Sequence, residues 1–163
     1  MANPRRIDVH HHVTPPSYIE AASQITYGNA PRMSWSLQRS LDDMDQGGVE
    51  TAIISLPHPV TIWPEPKDKQ RALARDWNEF VATLVKDHPG RFGLFASLPI
   101  LDIEGSLKEI DHAYSALGAD GINLITNIGD KWLGDPYYVP IFDELNRRKA
   151  VIYTHPLAPN CLH

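Results

Sequence analysis

The chain has 163 residues, enough for one domain with a sizeable core. Hydrophobic residues make up 42% and charged residues 21%; the formal net charge is −5 with no long basic run, so a nucleic-acid partner is not expected. No stretch nears eighteen consecutive apolar residues, so no membrane span is expected, and MANPRRIDV lacks the apolar core of a secretory signal.

In chain order, Arg6–His12 reads as a first strand, and Ser36–Gln46 as a short helix closed by Gly47-Gly48. Thr51–Leu56 reads as a second strand. Asp68–Lys86 (DKQRALARDWNEFVATLVK) places Ala72, Trp77, Phe80, Val81, Leu84 and Val85 on one stripe, and Asp87-His88-Pro89-Gly90 stops it. Phe92–Leu98 is a third strand. The helix predicted over Ile103–Leu117 turns Leu107, Ile110, Ala113, Tyr114 and Leu117 inward and ends at Gly118. Gly121–Thr126 is a fourth strand, Pro140–Lys149 a helix with Ile141, Phe142 and Leu145 inward, and Ala150–Thr154 a fifth strand. The strands are nearly continuous in apolar residues, which suits parallel sheets buried on both faces. The alternation argues for an α/β fold with crossover connections. An open doubly wound sheet and part of a (β/α)8 barrel both fit, although no Gly-rich phosphate loop supports the nucleotide-binding form of the open sheet.

The histidines carry the chemistry. In a strand, residues i and i+2 share a face, so His10 and His12 project together while His11 points away. The last strand runs into His155, and Pro156 forbids further pairing. His10, His12 and His155 all sit at carboxyl ends of strands, where sites assemble in parallel α/β folds. Three imidazoles around an open position match a catalytic zinc-type centre better than a closed structural one.

The motifs Asp8-Val9-His10-His11-His12, Gly90–Pro99 (GRFGLFASLP), Leu133-Gly134-Asp135-Pro136, Phe142–Arg148 (FDELNRR) and Thr154-His155-Pro156 resemble, in order and over essentially the whole chain, the amidohydrolase-related metal-dependent decarboxylases. These are the relatives of aminocarboxymuconate-semialdehyde, γ-resorcylate and 6-methylsalicylate decarboxylases. The stretch around Arg91–Pro99 and the FDELN…HP ending point to the salicylate-type branch. The resemblance implies a distorted (β/α)8 barrel with one divalent metal, zinc first and manganese second. It maps the first-strand pair of ligands onto His10 and His12 and the fifth-strand ligand onto His155. It implies a proton-donating histidine and a metal-binding aspartate beyond His163. The expectation is therefore that residues 1–163 are the N-terminal five β/α units of a single TIM-like barrel domain, incomplete in this chain and inactive or weak alone. A homo-oligomer is expected of the full-length form.

Geometry sharpens the same expectation. Five strands in sequential order in a flat sheet would put the first and last about 4.8 Å × 4, or roughly 19 Å, apart. Metal–nitrogen bonds of about 2.0–2.1 Å cannot bridge that. A shared centre requires barrel-like curvature.

Other residues at the same end are candidates to contact a small carboxylic acid. His58 follows the second strand. Asn123, Thr126 and Asn127 end the fourth and are suited to orienting a carboxylate or phenol. Trp63 and Trp132 lie in loops and offer stacking surfaces. Asp8 is placed to orient a ligand from behind. His88 and His112 read as surface residues, and Arg147, Arg148 and Lys149 as charges suited to a helix C-terminus. Cys161 is the one cysteine, which rules out a disulfide framework and fits a reducing, cytoplasmic setting. The favoured activity is non-oxidative decarboxylation of a small aromatic or unsaturated acid. A metal-dependent lactone or amide hydrolase and a non-catalytic half-barrel that needs a partner chain remain open alternatives.

Overall fold

The structure, a computed structural model, describes residues 5–15, 18–19, 35–57 and 66–156. Its strands are β1 (Arg6–His12), β2 (Val49–Ser55), β3 (Phe92–Ala96), β4 (Gly121–Ile125), β5 (Asn127–Ile128), β6 (Lys131–Trp132) and β7 (Ile152–His155). Its helices are α1 (Leu37–Gly47), α2 (Lys67–Asp87), α3 (Ile103–Ser115) and α4 (Val139–Arg147), the last entered through a 3-10 turn at Pro136–Tyr138. Five strands form one sheet in the order β1-β2-β3-β4-β7, and every neighbouring pair is parallel.

Local chemistry sets the boundaries. Ser36 caps α1 by accepting the Arg39 backbone N–H at 3.3 Å, and Gly48 closes it at φ 65, in the left-handed region that glycine tolerates. Along α2 the buried positions are Ala74, Trp77, Asn78, Val81 and Leu84, a helical spacing that turns one stripe to the sheet. All five residues of β3 and all five of β4 are buried, as their nearly continuous apolar character suits, Asn123 being the one polar residue among them. The core lies between the helices and one face of the sheet, where Ala52, Ile54, Leu94, Ile122 and Leu124 meet Trp77, Val81, Ile110, Ile141 and Leu145. Each large side chain there contributes about 1.5–3 kcal/mol by leaving water.

A buried polar clamp holds the chain where it leaves β3. The Asn78 amide donates to the Ser97 carbonyl at 2.9 Å and accepts the Ser97 N–H at 2.8 Å. It also donates to Glu109 at 2.8 Å, and Glu109 pairs with Arg75 at 2.8 Å. Arg71 bonds Asp102 alongside and holds the Asp102 carboxyl below the usual carboxylate range.

The α/β half-barrel expected from the sequence is present, with two differences of detail. The chain after β4 does not simply loop. β5 and β6 pair as an antiparallel hairpin joined by Gly129-Asp130, with Gly129 at φ 60. His112, read as a surface residue, has a side chain only 25% exposed, with its Nε2 3.3 Å from Glu79 on α2.

Candidate metal centre

β1 supplies two imidazoles, through a modified strand. Asp8 pairs with Ala52 and His11 with Ile54, so β1 advances three residues while β2 advances two. Val9 and His10 therefore oppose Ile53 together, a β-bulge, and bulges re-aim side chains. Strict alternation would put Asp8 on the face of His10 and His12. Instead Asp8 lies with His11, its Oδ2 3.4 Å from His11 Nδ1. Asp8 does not back a ligand ring, as the sequence suggested; its Oδ1 accepts the backbone N–H of His10 at 2.9 Å.

β7 supplies the third imidazole. His155 sits in register with Ile125, and its carbonyl accepts the Thr126 N–H at 3.0 Å. The two strands carrying the histidines stand at opposite ends of the sheet order, yet His10 Nε2 and His155 Nε2 are 3.1 Å apart. One ring nitrogen from each of His10, His12 and His155 lies within 4.8 Å of the others. The sheet is therefore curled as a half-barrel.

The ring nitrogens are oriented by carbonyls. His12 Nδ1 lies 2.9 Å from the Ser55 carbonyl, and His155 Nδ1 lies 2.8 Å from the Pro156 carbonyl. A carbonyl only accepts, so the proton sits on Nδ1 and the Nε2 lone pair is left for a cation. Two nitrogens bound to one ion at about 2.0–2.1 Å, at tetrahedral or octahedral angles, stand about 2.8–3.4 Å apart. The observed 3.1 Å between His10 and His155 falls in that range. The donor set and its spacing fit a divalent cation. Burial, chiefly, holds the His12 pKa below its usual value; the Ser55 carbonyl opposes this, and the neighbouring His10, His155 and His11 rings lower it further. A neutral imidazole is the form that binds metal.

Aromatic rings pack against the triad. Tyr153 is stacked on Phe95, with centroids 5.3 Å apart at 10°, and lies 5.9 Å from the His10 ring. The stack depends on Gly121, where a Cβ would come within 3.0 Å of the Phe95 ring and 2.7 Å of the Val151 carbonyl.

The other candidates divide. Asn123 is in register with Tyr153 and only 6% exposed; its Nδ2 donates to the Leu56 carbonyl at 3.3 Å, and its buried Oδ1 has no partner among the described residues. Thr126 donates from its hydroxyl to Asn127 Oδ1 at 3.1 Å. Asn127 does not end β4 but starts the hairpin, where it pairs with Trp132. Trp132 is in a strand rather than a loop, and is 52% exposed. His58, Trp63, Cys161 and His163 lie outside the described residues. Sequence reasoning missed the bulge, the Phe95–Tyr153 stack and a cavity of about 350 Å³ between β1 and α1, bordered by His11, His12, Trp35, Ser36, Arg39 and Ser40.

A curled sheet of parallel strands, wrapped by helices and carrying three convergent imidazoles at the carboxyl ends of its first and last strands, defines a barrel-type α/β protein with a candidate metal centre. The chain belongs to the amidohydrolase family, whose model matches residues 7–162. Over 160 residues it is 42% identical to the decarboxylase yanB of Aspergillus niger, covering 93% of this chain and 43% of that protein. It is 37% identical to the 6-methylsalicylic acid decarboxylase of Penicillium expansum, covering 94% and 49%. A crystal structure of an amidohydrolase II matches with a TM-score of 0.88 at 29% identity, covering 94% of this chain and 51% of that one. A dihydroxybenzoic acid decarboxylase from Polaromonas, solved with manganese and the inhibitor 2-nitroresorcinol, shares the fold at TM-score 0.80 and 22% identity, covering 95% and 50%. The chain spans about half the length of the curated relatives it matches. Among the described residues no helix is long and apolar enough to cross a membrane.

Proposed function

We propose that residues 1–163 are the first five β/α units of an amidohydrolase barrel whose activity is metal-dependent, non-oxidative decarboxylation of a small aromatic carboxylic acid of the salicylate type. The observation that carries this reading is the 3.1 Å approach of His10 Nε2 to His155 Nε2, with His12 beside them. The chain's similarity to the decarboxylases of Aspergillus niger and Penicillium expansum supports the reaction class.

In this reading His10, His12 and His155 hold one divalent cation, zinc or manganese; the manganese in the Polaromonas enzyme favours the second. When bound, such an ion supplies Lewis acidity towards carboxylate and phenolate oxygens. The chain's own residues then fix position. Ser55 and Pro156 hold two ligand rings through their carbonyls. Asn123, buried in β4, and Thr126, Asn127 and Trp132 are the residues proposed to meet the substrate on the described part of the chain, with His58 and Trp63 as further candidates. Phe95 and Tyr153 keep the site's floor apolar. In the reaction a proton adds to the ring carbon that bears the carboxylate. The C–C bond breaks, its electron pair returns to the ring, and carbon dioxide leaves. The resemblance to the decarboxylases implies a histidine as the proton donor, and none of the described residues is assigned that role. A cytoplasmic setting and self-association of the complete barrel belong to the same proposal.

The test is to read the gene past the codon for His163 and assay the product, loaded with manganese or zinc, against 6-methylsalicylate and dihydroxybenzoates. Carbon dioxide release that needs His10 and His155 supports the proposal. Lactone or amide cleavage without decarboxylation overturns it.

A further inference from the structure

The middle histidine of the opening run stays out of the triad and has partners of its own. His11 Nε2 lies 3.0 Å from Ser40 Oγ on α1, and Ser40 Oγ accepts the Trp35 indole N–H at 2.8 Å. The Ser40 hydroxyl proton is therefore free to go to His11 Nε2, which leaves the His11 proton on Nδ1, facing Asp8 Oδ2 at 3.4 Å. The other Asp8 oxygen accepts the His10 backbone N–H at 2.9 Å. One path thus runs from Trp35 through Ser40, His11 and Asp8 to the main chain of a ligand residue. Trp35 packs edge-on against Phe80 of α2, with centroids 5.9 Å apart, so the path is anchored in the body of the fold.

A serine, a histidine and an aspartate in this order also describe a nucleophilic triad. Here Ser40 is only 6% exposed, and its oxygen already carries the indole donor and faces the His11 ring. The chain of bonds ends on backbone, and its consequence is mechanical.

We propose that Asp8, His11 and Ser40 are positioning residues for the candidate metal centre: they pin the β-bulge at Val9-His10 and so keep His10 and His12 aimed inward together. The proposal rests on the metal reading above. The need for a pin follows from the sequence itself. Among the described residues β1 has β2 as its one strand neighbour, and three successive histidines make its inner face ambiguous. A slip of one residue exchanges the faces of a strand. It would turn His11 inward and His10 and His12 outward, and the site would keep one imidazole of the pair. His11 is distinguished from its neighbours by bonds on both ring nitrogens, and both are lost if it turns inward.

The experiment is calorimetric titration of the 163-residue chain with manganese and with zinc, at a temperature where circular dichroism shows each metal-free variant folded. The variants are Ser40→Ala, His11→Asn, Ser40→Thr and, as a ligand control, His10→Ala. Ser40→Ala and His11→Asn are expected to weaken binding about tenfold to a hundredfold, the usual scale for partners behind a metal ligand. Ser40→Thr keeps the hydroxyl and is expected to restore binding. Wild-type affinity in folded Ser40→Ala and His11→Asn, with His10→Ala inactive in binding, overturns the positioning role alone. Equal loss in Ser40→Thr and Ser40→Ala also overturns it. No binding by the wild-type chain overturns the metal reading, and the positioning role with it.

Discussion

His10 Nε2 and His155 Nε2 stand 3.1 Å apart across 145 positions of sequence. A flat sheet of sequential strands would hold their strands roughly 19 Å apart. The curl of the sheet is therefore what makes a shared centre geometrically available, and the first expected outcome follows from it. Manganese or zinc at about 100 times its Kd should stabilise the folded chain by about 2.7 kcal/mol, because the ion binds the folded state and not the unfolded one. Thermal melts with and without metal, repeated on His155→Ala, check this; the variant should show little upward shift.

The pH dependence of the metal-free chain follows from His12. Its folded-state pKa lies below the usual 6.5, chiefly through burial. Between that lowered value and 6.5 the unfolded chain binds more protons than the folded one, so stability rises with pH there. The contribution is fully present above 6.5 and is lost as pH falls through the folded pKa. Urea midpoints from pH 7 to pH 5 should fall more steeply for the wild type than for His12→Asn; parallel curves would contradict the assignment.

Asn78 should be costly to replace. Asn78→Ala removes both bonds to Ser97 and leaves a buried Ser97 N–H and a Glu109 oxygen without their partner. Each stranded group costs about 1–3 kcal/mol, so a loss of at least about 2 kcal/mol in urea unfolding is expected. Trp132→Ala should change stability by less than about 0.5 kcal/mol, since the ring is half exposed.

Among the described residues the sheet ends at β1 and β7, and both carry exposed apolar side chains: Ile7 at 64% and Val9 at 48% on β1, with Ile152 at 37% on β7 and Val151 at 56% just before it. Apolar sheet ends of this kind invite association. Light scattering should show concentration-dependent self-association that falls in the double variant Val9→Lys, Ile152→Lys. A monodisperse monomer at high concentration in the unaltered chain would contradict this.

Much of the fold was legible because β3 and β4 are nearly continuous apolar runs of five buried residues, and because α2 turns Trp77, Val81 and Leu84 to one side. The meeting of His10, His12 and His155 was expected from their places at strand ends. The β5–β6 hairpin was missed although Gly129-Asp130 is a two-residue turn signal, since Asn127 looked like the tail of β4. The bulge had no signal at all, because β-registers are set between strands and not within one. The same holds for the bond between His11 and Ser40, 29 positions apart, which depends on where α1 packs. Short polar contacts of this kind are decided by tertiary placement, which periodicity does not encode.

The most direct test of the account is X-ray absorption at the metal edge of the chain loaded with one equivalent of zinc or manganese. Imidazole scattering from about three nitrogen-bound rings, reduced to two in His155→Ala, is the expected result. A spectrum with no imidazole contribution, or one unchanged by His155→Ala, would show that the first and last strands do not share an ion.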